Sequence, residues 1–198
     1  MDLRKKILHK RDQLSADEIT QLSLKIQARL RSAEEYVHAK VVLFFHSFKS
    51  EVDTLPEIKR RLTVGLPTAL PRTKIKERRL ECYLIRSLGD LVQGSFSIME
   101  PDPAKCQRID PGIIDAVIVP GSVFDRRCGR FGYGGGFYDR FLLSDAPQAV
   151  RIALAFSFQV MDNEIPVRPH DQFMDLIVTE KETIRCKNHE RRPRDQEP

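Results

Sequence analysis

The sequence predicts a single α/β domain, a three-layer α/β/α arrangement with a mostly parallel central sheet. Short β-branched or aromatic runs at residues 40–45, 64–70, 80–85, 115–120, 151–156 and 174–178 are interleaved with helical stretches and loops. Strands alternating with helices favour a parallel sheet covered on both faces. A length of 198 residues at 41% hydrophobic is enough for one substantial core. No internal repeat or linker suggests a second unit. The domain is expected over residues 1–185, with a charged tail at 186–198 that lacks an apolar period and is expected to be disordered.

Residues 2–12 carry Leu3, Ile7 and Leu8 between basic residues, which suits a short amphipathic helix. Its Arg4, Lys5, Lys6, Lys10 and Arg11 read as a solvated face, with contact to a bound phosphate as the alternative. Ser15 with Glu18 forms a capping box before Ile19, Leu22, Ile26 and Leu30. The run at 40–45 ends in a polar loop, His46 to Glu51, where α/β proteins place ligands. Thr54 with Glu57 predicts a second capping box, followed by Leu55, Ile58 and Leu62. The run at 64–70 is ended by Pro71-Arg72. A basic, exposed turn at 72–79 precedes the strand at 80–85, and 94–103 reads as loop. A long polar loop at 121–130 leads to glycines, a helix opens at 137–143, and 174–178 is the last strand.

The net charge of +5 permits anionic ligands without choosing among them. The turn at 72–79 lacks aromatic interleaving, which disfavours nucleic acid. Cys82, Cys106, Cys128 and Cys186 are scattered with no CxxC pair, so no zinc site is expected. A chain of this size needs no disulfide, and a reducing compartment follows as the expectation. The first 12 residues are charged throughout and unlike a signal peptide, and no apolar run reaches the roughly 20 residues of a membrane span. A cytoplasmic monomer is expected.

The most distinctive stretch is Arg130-Phe131-Gly132-Tyr133-Gly134-Gly135-Gly136-Phe137-Tyr138-Asp139-Arg140. Four of the chain's ten glycines fall here. Glycine permits positive φ and leaves amides uncovered. Several amides turned into one concavity hold phosphate oxygens. The alternative is a tight surface turn. The run lacks the Gly-Lys-Ser/Thr of a Walker A loop and the spacing of a dinucleotide fingerprint.

This segment is joined in order by several others. They are the basic helix before Leu14-Ser15-Ala16-Asp17-Glu18, Glu51-Val52-Asp53-Thr54, Leu70-Pro71-Arg72, Met99-Glu100-Pro101, Val119-Pro120-Gly121 with Phe124-Asp125, and Ile165-Pro166 with His170-Asp171 and Asp175. Together they resemble the 5-formyltetrahydrofolate cyclo-ligase (methenyltetrahydrofolate synthetase) family over about residues 3–180. The resemblance implies a ligase that uses ATP and Mg²⁺ to cyclise 5-formyltetrahydrofolate, with or without a polyglutamate tail, to 5,10-methenyltetrahydrofolate. ADP and phosphate are released. It implies that Arg4 and the stretch Arg130, Phe131, Gly132, Tyr133, Gly134, Gly135, Gly136, Phe137 and Tyr138 bind ATP, with Arg130 catalytic. It implies folate contacts at His46, Glu51, Tyr133, Gly134, Gly135, Gly136 and Phe137, and Mg²⁺ on Asp139 and Asp171.

Each residue also has a plain structural reading. Asp139 favours a helix N-terminus without any metal. Asp171 suits a turn cap, Glu51 an exposed loop, His46 a strand edge, and Tyr133, Phe137 and Tyr138 a core. Three departures from the family pattern stand out. A Lys usual four residues before the position of Arg4 has no counterpart. Ser97 stands where a Gly is usual, and Arg168-Pro169 replaces an acidic residue before His170.

Overall fold

The computed structural model describes residues 2–186. The expected charged tail, apart from Cys186, lies outside the described residues. The chain runs α1 (Leu3–Asp12), α2 (Ala16–Leu30), α3 (Glu34–Val37), β1 (Val42–Leu43), α4 (Leu55–Thr63), β2 (Thr68–Lys74) and β3 (Arg79–Leu84). It continues through β4 (Leu91–Gln93), β5 (Met99–Pro101), β6 (Gln107–Ile109), β7 (Ala116–Val119), β8 (Val123–Asp125) and β9 (Arg130–Phe131). Then come α5 (Phe137–Arg140), β10 (Val150–Leu154), β11 (Val160–Met161), β12 (Leu176–Val178) and β13 (Thr183–Arg185).

The main sheet has the order β13-β12-β10-β7-β1-β2-β3-β6. Its centre, from β12 to β2, is parallel, while β13, β3 and β6 pair antiparallel at the flanks. The expected α/β class holds, with a parallel centre inside a mixed sheet. Strand side chains alternate between faces. Val42, Ile118, Ile152 and Val178 join Ile26 and Leu30 of α2 and Ile58 of α4 on one side. Leu43, Val117, Ala153 and Ile177 join Phe124, Phe141 and Leu142 on the other. Burying a Leu, Ile or Phe contributes about 1.5–3 kcal/mol, so these two cores fix the layers.

The Ser15 box forms as expected: Ser15 Oγ accepts from Glu18 N at 3.2 Å, and Glu18 Oε2 accepts from Ser15 N at 2.8 Å. The Thr54 box does not. Thr54 Oγ1 instead donates to Phe45 O at 2.8 Å and accepts from Ser47 N at 3.2 Å, which ties the ligand-side loop to the end of the sheet. Glu57 is drawn into a buried cluster with Tyr36, Arg31 and Arg60.

The strand expected at 64–70 begins only at Thr68, because α4 runs to Thr63 and turns at Gly65 with φ +73°. It then continues through Pro71-Arg72. Beyond Ala69 β2 has left its β1 partner, so the missing Pro71 N–H breaks no ladder on that side. The basic stretch at 72–79 is thus a β-hairpin turning at 75–78. Lys74 and Arg79 pair with Glu81, which also meets Arg108, and Arg72 donates to Pro101 O.

The loop expected at 94–103 contains β5, which pairs with β4. The polar loop expected at 121–130 is mostly buried and supplies β8 and β9 of a small sheet with β11. Asp125 organises it by accepting from the N–H groups of Arg127, Gly129 and Ile165. After the expected last strand, β13 adds an edge. Its return brings Cys186 to Cys128, and the two form a disulfide with Cα atoms 6.1 Å apart. The sequence reading, that a chain of this size needs no disulfide, did not foresee the pair, whose members lie 58 residues apart. Cys82 and Cys106 are free and buried. No helix among the described residues is long and apolar enough to cross a membrane.

Candidate active site

The glycine loop leaves β9 at the end of the small sheet and enters α5 through Gly136, whose φ of +62° is left-handed. Gly134 has φ +97°. A side chain at either position would be strained. Gly132 is required for a different reason: a Cβ there would lie 2.7 Å from Arg130 Nη1. Among the described residues, no N–H from Gly132 to Gly136 donates to another group of the chain. The helix behind the loop is only four residues long before it widens into a π turn at 141–145. Its dipole is therefore small, and the loop amides and arginines set the field.

Two arginines converge on this loop. Arg130 is 4% exposed. Its Nη1 donates to Pro120 O at 3.2 Å, its Nη2 meets Asp139 Oδ1 at 2.5 Å, and its Nε is buried without a partner. Arg4 of α1 lies over the Phe131 ring at 5.4 Å, with its Nε likewise buried and unpartnered. Gly134 lies beside it, such that an added Cβ would be 4.0 Å from Arg4 Nη1. Orphaned buried donors are costly. Two of them beside a row of free amides make a donor-rich cradle suited to a polyanion.

Asp139 Oδ1 also accepts from Gln172 N at 3.1 Å, which brings the Pro169–Asp171 turn against the loop. Asp171 Oδ2 accepts from Arg168 N at 2.7 Å, as a turn cap would. Both contacts of Asp139 fall on one oxygen, which leaves the second for a cation. Among the described residues no group of three potential metal ligands exists. Mg²⁺ takes few protein ligands, so Asp139 and Asp171 stay the candidates that the sequence named.

The loop after β1 meets the glycine loop directly. Glu51 Oε2 accepts from Phe48 N at 3.0 Å, and Oε1 accepts from Tyr133 Oη at 2.6 Å. Burial pushes the Glu51 carboxyl up, against the lowering effects of Tyr133 and Arg11. Burial likewise raises the Tyr133 phenol, and the Glu51 charge adds to it. His46 is half-buried, its Nδ1 3.0 Å from Ser47 O, and burial lowers its pKa. Phe137 and Tyr138 pack partly into the cores, so both the binding stretch and the core claim them.

The structure thus gathers Arg4, Arg130, residues 131–136 and Asp139 around one cradle, with Glu51 joined to it through Tyr133. His46 bonds only to its neighbour Ser47 and is not joined to that group among the described residues. Arg11, assigned by pattern to a solvated face, is 5% exposed and donates to Tyr133 Oη at 2.8 Å. Its spacing of seven from Arg4, two helical turns, was the available signal. Arg140 was also missed. It holds the loop by donating to Gly135 O at 2.7 Å and to Arg78 O at 2.9 Å.

A family model, the 5-formyltetrahydrofolate cyclo-ligase family, matches residues 1–180. The chain belongs to this family. It is 33% identical over 183 residues to the mitochondrial 5-formyltetrahydrofolate cyclo-ligase of Arabidopsis thaliana, covering 81% of this chain and 66% of that one. It is 27% identical to the Mus musculus 5-formyltetrahydrofolate cyclo-ligase, covering 90% of this chain and 92% of the relative. The solved 5,10-methenyltetrahydrofolate synthetase of Aquifex aeolicus superposes with a TM-score of 0.82 at 35% identity, covering 100% of this chain and 95% of that one. The Mycoplasma pneumoniae synthetase gives 0.71 at 25% identity, covering 91% and 99%. The chain is therefore a ligase-family enzyme of folate one-carbon metabolism, and the comparisons indicate 5,10-methenyltetrahydrofolate synthetase activity. A mitochondrial relative leaves the compartment open.

Proposed function

We propose that the chain closes 5-formyltetrahydrofolate to 5,10-methenyltetrahydrofolate at the expense of ATP, releasing ADP and phosphate. The observation that supports this reading is the loop itself: amides from Gly132 to Gly136 with no acceptor among the described residues, next to the guanidinium groups of Arg4 and Arg130. The formyl oxygen is a poor leaving group, because expelling oxide or hydroxide from an amide carbon is uphill. Transfer of the γ-phosphoryl of ATP to that oxygen converts it to a phosphate ester. N10 then attacks the activated carbon and loses its proton. The carbon–oxygen bond breaks, and phosphate departs with the bonding pair.

The chain's part is positioning and charge neutralisation. The loop amides grip phosphate oxygens, Arg4 adds charge from α1, and Arg130 balances negative charge on the transferred group. Asp139 and Asp171 would hold Mg²⁺, which when bound neutralises phosphate charge. Glu51 and His46 line the pterin side, where Glu51 has lone pairs left for ring N–H donors. Tyr133 to Phe137 serve both ligands from between them. No covalent nucleophile is required.

The test is spectrophotometric. Absorbance of the methenyl product is expected only when ATP and 5-formyltetrahydrofolate are both present. No absorbance change under saturating ATP would contradict the proposal.

A further inference from the structure

α1 lays two arginines seven residues apart across the glycine loop. Arg4 covers Phe131, and Arg11 lies 5.9 Å from the ring centre of Tyr133, two residues further along an extended chain. Ile7, between them, is buried in a small cluster with Val123 and Ile165, so the helix is anchored where it crosses. Arg11 is a buried cation, and such groups normally face a carboxylate directly. Its side-chain hydrogen bonds go to hydroxyls instead: Nε to Ser50 Oγ at 3.1 Å and Nη1 to Tyr133 Oη at 2.8 Å. Each hydroxyl passes its own proton to an acid. Ser50 Oγ donates to Asp12, and Tyr133 Oη donates to Glu51. One guanidinium therefore spans Ser50, beside Glu51 on the folate wall, and Tyr133 on the nucleotide loop. The Arg11–Tyr133–Glu51 chain ties α1 and the glycine loop to the loop after β1.

We propose that Arg11 is a positioning residue that locks Tyr133 onto Glu51, so that ordering of the glycine loop by nucleotide also sets Glu51 for the pterin and the two ligands bind cooperatively. This rests on the functional reading above. Nucleotide on the loop amides restricts Tyr133, and restricting Tyr133 fixes the carboxylate it bonds. Whichever ligand binds first meets the ordering cost for the other. Burial already presses Glu51 towards its neutral form, and the Arg11 charge opposes this. Tyr133, half exposed at the loop tip, can carry a substitution without disturbing either core.

The experiment is titration calorimetry with a non-hydrolysable β,γ-imido ATP analogue and 5-formyltetrahydrofolate, each alone and each in the presence of the other. It compares the wild type, Arg11→Met, Arg11→Lys, Tyr133→Phe and the Arg11→Met/Tyr133→Phe double variant. In the wild type, nucleotide should tighten folate binding by about 10-fold, within the usual range of such couplings. That ratio should fall to within about 2-fold of unity in Arg11→Met and in Tyr133→Phe, with no further loss in the double variant, because both break one chain. Arg11→Lys should keep the fold yet lack the coupling, since an ammonium cannot reach both hydroxyls in a fixed fork. If Arg11→Met does not fold, Tyr133→Phe alone decides. Wild-type coupling retained in Tyr133→Phe, additive losses, or no coupling in the wild type would overturn this role for Arg11 while leaving the enzyme reading intact. Failure of both ligands to bind the wild type would overturn the enzyme reading and this inference with it.

Discussion

Glu51 and Glu57 lie six residues apart and meet opposite fates. Glu57 is 1% exposed, yet Tyr36, Arg31 and Arg60 all donate to it. Burial alone would raise its pKa, but the hydrogen bonds from Arg60, Tyr36 and Arg31 outweigh this and hold it below the ordinary carboxylate range. Glu51 receives a phenol and one backbone N–H, and burial prevails, so its pKa is raised. Glu57 is satisfied by its own chain. Glu51 has one donor on each oxygen and lone pairs to spare, the feature on which its proposed folate contact rests. The contrast teaches that two carboxylates six residues apart shift in opposite directions because one is ringed by charged donors and the other is not.

The sharpest way to break the comparison is Glu51→Gln. Turnover with 5-formyltetrahydrofolate should fall about 100-fold, the loss of a charged hydrogen bond to substrate. Its melting temperature should hold or rise, because a poorly solvated charge is removed. The next effect in size belongs to Glu57→Gln, which should lower stability by about 2 kcal/mol while sparing turnover per folded molecule. That figure is kept modest because both arginine partners are about 39% exposed.

Acid should separate the two residues by sign. Glu57 has a depressed folded pKa, so its stabilisation is present above the unfolded value near 4.5 and is lost as pH falls through the folded value. Glu51 has a raised folded pKa, so its contribution is favourable below the unfolded value and is lost as pH rises through the folded one. Unfolding curves from pH 3 to pH 7 should show a weakened acid limb in Glu57→Gln and a flattened loss towards neutrality in Glu51→Gln.

Gly132→Ala should act on the other wall. Its Cβ would press on Arg130 Nη1, which Pro120 O holds in place, and nucleotide affinity should drop about 10-fold in a direct titration. The smallest expected effect is Ser97→Gly. Ser97 has φ +61°, directly after Phe96 at +59°, and relieving that backbone should raise stability by about 1 kcal/mol with activity unchanged.

Ser97 also shows how far residues alone could be read. Its departure from a usual Gly was visible in the sequence, and the left-handed backbone gives the reason that Gly fits better. The layers were legible because Ile26, Leu30, Ile118 and Val178 follow the periods of helix and strand. The glycine loop was legible because its composition has few other uses. Arg11 was hidden among five basic residues of one helix, and only the docking of α1 separates it from Lys10. The buried strands around Asp125 were read as polar loop, since that carboxylate serves three backbone N–H groups from within the chain. The Thr54 box failed because a tertiary acceptor, Phe45 O, competed for the hydroxyl. Long-range pairings of this kind leave no local signature.

The most direct test of the cradle is to follow the backbone amide resonances of Gly132 to Gly136 by NMR while ATP and Mg²⁺ are added. The largest shifts in the protein should fall on those amides and on Arg4 and Arg130, saturating together with nucleotide. Tight nucleotide binding that leaves these resonances unmoved would contradict the account.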